Sequence, residues 1–408
     1  MRSDWQMLTV QELIDKRMLE SPMDGNHGAI HPKASDYVSA GVPFIMANDL
    51  QNGQVDFKHC AFITEAQAAT LKKGFAKPGD VLLTHKATIG RTAIVGDEYN
   101  TIILTPQVTY YRVREGINNR YLKYYFDSAY FQQLFSNWAG SGSTRAYLGI
   151  TAQRKLPIML PPFDVQCSIA DLLGKIDDKI VVNTIINDNL LQQAQTLFVE
   201  RFGLRNGDPI PEGWTLVSLG DVAVISNKSF NPMKQSETML EHYSIPAFDE
   251  TRYPVFELST EIKSNKFIVD SDCFMISKLN PTTKRVWRPY CMTENAVCST
   301  EFIVYKAKDQ ELTEFLYSLI DSASFSDFMC SHVTGSTGSR QRTTPSDTLQ
   351  YQFYMPTADE IADFSAVVAP MYAQIRINAM ENARLKGLRD SLLPRLMSGE
   401  INVSDVQV

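Results

Sequence analysis

Lys278, Lys284, Arg285 and Arg288 fall within eleven residues, and Arg340 and Arg342 follow a stretch rich in glycine, serine and threonine. Cations clustered in this way neutralise phosphates, and an arginine can also read the edge of a guanine. Ordinary solvated surface charge is an equal reading of each. Covalent chemistry has no comparable signature. The chain holds no G-x-x-x-x-G-K-S/T phosphate loop, no G-x-G-x-x-G, no H-E-x-x-H and no Cys/His cluster of zinc spacing. His27 and His31 are four apart, but Gly28 and Pro32 break the helix that would align them. Asn280-Pro281-Thr282-Thr283 lacks an aromatic ring on which a flipped base would stack, and it reads as a turn. Asp177-Asp178 and Asp359-Glu360 read as solvating charge on exposed helix faces. No catalytic constellation emerges, and no metal site.

Composition narrows the setting. The 408 residues suffice for two or three cores, and 44% hydrophobic with 21% charged residues is an ordinary globular balance. No apolar run approaches the ~18 residues of a membrane span, and no signal peptide opens the chain, so a cytoplasmic protein is expected. Six cysteines without a C-x-x-C indicate neither a disulfide framework nor a zinc ribbon. A net charge of −7 argues mildly against a free-standing nucleic-acid binder, so such a binder needs focused patches or a basic partner.

The elements that would position these residues occur twice. Trp5 and Leu13 are echoed by Trp214 and Leu219, and Asp127-Ser128-Ala129-Tyr130-Phe131 by Asp321-Ser322-Ala323-Ser324-Phe325. Gly142-Ser143-Thr144 recurs as Gly335-Ser336-Thr337, and Leu156-Pro157-Ile158-Met159-Leu160-Pro161 as Tyr351-Gln352-Phe353-Tyr354-Met355-Pro356. Units near 190 residues are whole domains, not solenoid repeats. Short β-rich runs between Gly, Asn and Pro turns, followed by helical stretches, make each an α+β module. The expected organisation is a first module over 1–162, a long helix over 163–203, a Gly/Pro linker over 204–213, a second module over 214–357, a second long helix over 358–400, and a tail over 401–408.

Both long helices carry a seam whose steps alternate four and three, the spacing of a coiled coil. The first runs Ile169, Leu173, Ile176, Ile180, Asn183, Asn187, Leu190, Ala194, Leu197. Shifted by 195 positions it becomes Phe364, Val368, Met371, Ile375, Asn378, Asn382, Leu385, Arg389, Leu392, broken only by Arg389. Pro370 predicts a kink or restart. A seam asparagine costs stability unless it finds a partner, so it fixes register. Four at matching positions predict an antiparallel pair with its asparagine layers meeting at the centre. The residues expected to pair the helices are Ile176, Ile180, Asn183, Asn187, Leu190, Ile375, Asn378, Asn382 and Leu385. A 38-residue helix gives roughly 57 Å of rod.

The order of three segments carries a resemblance. They are Pro211-Glu212-Gly213-Trp214-Thr215-Leu216-Val217-Ser218-Leu219-Gly220-Asp221, Leu156-Pro157-Ile158-Met159-Leu160-Pro161-Pro162, and Leu392-Leu393-Pro394-Arg395-Leu396-Met397-Ser398-Gly399-Glu400-Ile401. With the duplication they resemble the specificity (S) subunit of type I restriction-modification enzymes, over the whole chain. The first module departs from the family opening, since no Gly-Asp follows Leu13. The resemblance implies two similar target-recognition domains, each reading half of a bipartite target in double-stranded DNA. They would be separated by two long helices packed as an antiparallel coiled coil. The helices would set the gap and dock methyltransferase subunits, normally two, which carry S-adenosylmethionine; this chain itself would bind no cofactor and catalyse nothing. A restriction/translocase subunit joins in the restricting complex. Half-sites on one face of DNA lie about ~34 Å apart, within the reach of such a rod.

Individual DNA contacts do not carry over from the family. From residue chemistry alone the candidates are Lys86, Arg91 and Arg145 in the first module, and Lys278, Lys284, Arg285, Arg288, Arg340 and Arg342 in the second. Ser143, Thr144, Ser336 and Thr337 could donate to phosphates or lie in plain turns. Two competing readings stand beside this one: a duplicated protein-binding scaffold with no DNA selectivity, and a standalone enzyme whose site carries no known motif.

Overall fold

The computed structural model describes residues 4–140, 146–205, 207–334 and 341–406. It divides into unit one, Met1–Asp178 with Leu385–Val408, and unit two, Lys179–Arg384.

Unit one is built on two four-stranded sheets. Beside a short Leu50–Gln51 and Gln54–Val55 hairpin, its strands include β1 (Gln6–Thr9), β2 (Met23–Asp24), β3 (Val42–Ile45), β4 (Ala61–Ile63), β5 (Phe75–Ala76), β6 (Val81–Lys86), β7 (Thr88–Ile94), β8 (Ile102–Leu104) and β9 (Val108–Tyr111). One sheet runs β4–β3–β8–β5 and the other β2–β9–β6–β7. Val81, Leu82 and Leu83 are buried on both faces, as a continuous apolar run requires. Helices α1 (Asn119–Asp127), α2 (Ala129–Gly140) and α3 (Ile150–Gln153) follow, then β10 (Pro157–Leu160), which pairs antiparallel with β1.

After α4 (Phe163–Phe202), unit two repeats the plan. Its strands are β11 (Thr215–Ser218), β12 (Ala223–Ile225), β13 (Ser229–Phe230), β14 (Met239–Tyr243), β15 (Val255–Leu258), β16 (Lys266–Ile268), β17 (Cys273–Ser277), β18 (Val286–Trp287), β19 (Ala296–Ser299) and β20 (Phe302–Ala307). Helices α5 (Thr313–Ile320), α6 (Ala323–Ser331) and α7 (Pro345–Thr348) precede β21 (Gln352–Met355) and α8 (Ala358–Met397). The sheets run β12–β20–β17–β18 and β13–β16–β19–β14–β15. Each unit holds one parallel pair in the same place, β3 with β8 and β14 with β19, and β11 pairs β21 as β1 pairs β10. The repeat reaches single hydrogen bonds. Buried Tyr111 donates to Gln153 Oε1 of α3 (2.7 Å), and buried Tyr305 donates to Thr348 Oγ1 of α7 (2.6 Å).

The long helices span 40 residues each and pack antiparallel. Within unit two the four asparagines meet as two cross-helix pairs. Asn183 Nδ2 donates to Asn382 Oδ1 (2.9 Å) and to Glu381 Oε2 (2.7 Å), while Asn378 Nδ2 donates to Asn187 Oδ1 (2.8 Å). Asn187 and Asn382 also reach the Ile375 and Ile180 carbonyls. Ile176, Asn183, Asn378 and Leu385 are buried, and Ile180, Asn187, Leu190, Ile375 and Asn382 half-buried.

Expectations for Pro370, Asp177 and Glu360 are refined. Of the kink or restart expected at Pro370, the restart does not occur; α8 is one helix through it. The proline removes one ladder bond, while Val368 and Tyr372, both in the core of unit two, anchor the helix on either side. Asp177 is not solvating charge, since it accepts from Tyr124 Oη (2.6 Å) and from Arg389 (2.9 Å), with Lys123 Nζ at 3.6 Å. Arg389, the one break in the seam, is thereby matched inside unit one. Burial works to raise the Asp177 pKa, but Lys123, Tyr124 and Arg389 together hold it below its ordinary value. Glu360 stays exposed, as expected, and also caps Thr357 N (2.9 Å) and accepts from Trp214 Nε1 (2.9 Å).

Replacing Arg389 by Met is expected to destabilise unit one by about 1–3 kcal/mol, the cost of unpairing a charged hydrogen-bond partner. Asp177→Asn in the same chain should cost less than the sum of the two single changes. Calorimetric unfolding of the three variants reads the coupling, and strictly additive losses would show that the pair contributes none.

Candidate nucleic-acid interface

Among the described residues, Lys86 and Arg91 lie on the β6–β7 hairpin, while Lys278, Lys284, Arg285 and Arg288 lie in or next to the β17–β18 connection, with Arg342 opposite Leu279. In unit one β6 turns into β7 at Ala87, with His85 opposite Ile89 and Lys86 opposite Thr88. Ala87 takes a left-handed φ of 66°, costly for a residue with a Cβ. The turn is tied down by Ala87 N donating to Ala146 O (3.1 Å) and Leu148 N donating to His85 O (3.0 Å). In unit two Asn280 N donates to Gln341 O (2.9 Å) and Thr343 N to Lys278 O (3.1 Å). The acceptor-side strand is displaced by the repeat offset of 195, from 146 to 341, so Asn280 stands where Ala87 stands. Asn280 too is left-handed, at φ 49°. Backbone strain held at the same position in both units marks these ends as candidate contact sites.

The side chains around the two ends differ. In unit one Lys86 and Arg91 are exposed, and neither meets a carboxylate among the described residues. Lys86 Nζ lies 5.9 Å from the centre of the Tyr147 ring, within cation–π range. Arg91 is oriented through its backbone, its N–H donating to Thr84 Oγ1 (2.9 Å), while Gln132 Nε2 donates to the neighbouring Gly90 carbonyl (2.8 Å). His85, beside Lys86, is fully buried; burial lowers its pKa to about 4, which leaves it uncharged. Its Nδ1 donates to the Leu148 carbonyl (3.1 Å), and its Nε2 has no partner.

In unit two most of the cluster is closed by acids. Arg285 forms a two-pronged pair with Asp249 (2.6 and 2.9 Å), and its side chain is only 12% exposed. Arg288 pairs with Glu314. Lys284 reaches Asp321 (2.7 Å), and Arg342 forks onto Glu301 (3.0 and 3.1 Å). Lys278, half-buried, has no carboxylate partner among the described residues. Ser143, Thr144, Arg145, Ser336, Thr337 and Arg340 lie outside the described residues. The acids could not be paired with these cations by sequence, because each lies 26 to 41 positions away. Among the described residues no group of acids, histidines and cysteines is placed to hold a metal, and no helix is long and apolar enough to cross a membrane.

Residues 2–192 match the family described as type I restriction modification DNA specificity domain. The MjaIX type I restriction enzyme specificity subunit of Methanocaldococcus jannaschii is 23% identical over 92% of this chain and 90% of its own length. The HindI type I restriction enzyme specificity subunit of Haemophilus influenzae is 22% identical over 88% of this chain and 94% of its own. The crystal structure of a type I restriction-modification system S subunit from M. genitalium superposes with a TM-score of 0.54 at 13% identity, covering 96% of both chains. The resemblance to type I specificity subunits thus holds in sequence and in fold.

Since His85 is neutral in the fold and titrates near 6.5 when unfolded, the unfolded chain binds the extra proton between those pKa values. Stability contributed by burying the neutral ring is therefore full above about pH 6.5 and declines as pH falls toward about 4, by roughly 3 kcal/mol in total. Denaturant titrations of wild type and His85→Phe across this range should differ in slope against pH, and parallel curves would contradict the assignment.

Proposed function

We propose that this chain selects the DNA target of a type I restriction-modification system, with each unit reading one half of a two-part duplex sequence. The observation that carries this is the doubled frame. Two units repeat one sheet order, with β13 added at one edge in unit two, and one strained hairpin end, and each includes a segment of both long helices. A reader of two half-sites needs two equivalent frames whose contact surfaces differ, and the hairpin ends differ in this way. The relatives named above are specificity subunits of type I restriction enzymes, which supports the same reading.

On this reading the helix pair sets the gap between half-sites and docks methyltransferase subunits, two of them by the symmetry of the repeat. S-adenosylmethionine is held by those partners, which also flip and methylate the base. This chain contributes selection and no catalysis, and a restriction/translocase subunit completes the cutting complex. The assembly acts on cellular DNA in the cytoplasm.

Modification-sensitive sequencing of DNA from cells co-expressing this chain with its cognate methyltransferase tests the proposal. A methylated motif of two parts with a fixed gap, lost when this chain is omitted, is expected. Methylation indifferent to the chain, with an active methyltransferase, would leave a protein-binding scaffold as the better account.

A further inference from the structure

Resting on that reading, we infer that the DNA-facing charge of the two hairpin ends is Lys86, Arg91 and Lys278, and that the denser cluster of Lys284, Arg285, Arg288 and Arg342 belongs to the fold. A cation contributes to phosphate binding only as far as its charge is uncompensated, since counterion release counts net neutralised phosphates. Arg285 is covered and forked onto Asp249, and Arg288 is held by Glu314 of α5. Moving either to a phosphate would leave an acid unpaired. Lys284 and Arg342 are more exposed, at 41% and 43%, yet each stands against an acid, so the pair adds no net positive field.

The free cations lie elsewhere. Lys86 immediately precedes the left-handed Ala87, and Arg91 follows Gly90 on the returning strand β7. The preceding residue, His85, is buried and uncharged, so it neither adds to nor opposes them. The planar guanidinium of Arg91 suits the two acceptors of a guanine, while the Lys86 ammonium suits a phosphate. Lys278 lies two positions before the left-handed Asn280 and holds the place of His85 in the repeat. The two ends are thereby unequal. Among the described residues the first carries two free cations and the second one, so the first half-site supplies more of the salt dependence and contains a guanine at the Arg91 contact.

The test uses the full chain in complex with its methyltransferase subunits and a fluorescein-labelled duplex carrying the motif mapped by sequencing. Affinity is measured against sodium chloride concentration. Lys86→Ala with Arg91→Ala should make the log–log slope shallower by about two, and Lys278→Ala by about one. Arg285→Ala with Arg288→Ala should lower the melting temperature and leave the slope unchanged. If that variant does not fold, Arg342→Ala with Glu301→Ala, which removes a more exposed pair whole, should likewise leave the slope unchanged. Sequencing of cells carrying Arg91→Ala should show relaxation in the first half of the motif only. An unchanged slope for the Lys86/Arg91 variant, or a loss of about two for the Arg285/Arg288 variant at unchanged melting temperature, overturns the assignment. Absence of any two-part motif with the wild-type chain is a different result, which removes the underlying functional reading and this inference with it.

Discussion

Four amides placed in the otherwise apolar stretch of the seam within unit two fix how the two helices pair there. An asparagine facing isoleucine or leucine there would lose its hydrogen bonds to water and gain none. Asn183 with Asn382, and Asn187 with Asn378, satisfy one another only when the helices run antiparallel in this one register. A slip of one turn would set amides against apolar neighbours. The solution is incomplete, because Asn183 Oδ1 is buried without a partner, and this layer therefore fixes register more than it adds stability.

Given that frame, the two units solve the same packing problem with different chemistry. Unit one joins α1 to α4 through the Tyr124 hydroxyl and the Asp177 carboxylate, and matches the acid with Arg389. At the corresponding positions unit two places Ser318, Tyr372 and Ala194. There the hydroxyl sits on the long helix, Ser318 Oγ and Tyr372 Oη share a 2.8 Å bond, and the buried alanine leaves room for the ring. Reversing which partner carries the phenol removes the need for a buried charge pair. The geometry of the frame is thus kept while its polarity changes, which explains how one helix can bear an arginine in a seam whose equivalent is apolar.

The hairpin ends show the same separation of frame from surface. Both turn through a left-handed residue that is not glycine, and both are pinned by backbone bonds to the segment preceding a short helix. Around that common turn, among the described residues, unit two encloses Arg285, Arg288 and Arg342 with acids from neighbouring elements, whereas unit one leaves two cations open. A positive cluster in sequence is therefore a different object from a positive surface, and the difference lies in where the acids are.

The sequence by itself determined the duplication, the two long helices, the antiparallel pairing and the family resemblance. All are periodic or local patterns, written in residues close together in the chain or repeated at one offset. Only the tertiary structure decided that Asp177 answers Arg389 across 212 positions, that α8 continues through Pro370, and that Ala87 and Asn280 turn left-handed at equivalent points. It also decided which cations are free. Whether a charge is compensated depends on acids brought within 3 to 4 Å by folding, and a distance of that kind leaves no periodic trace in the chain.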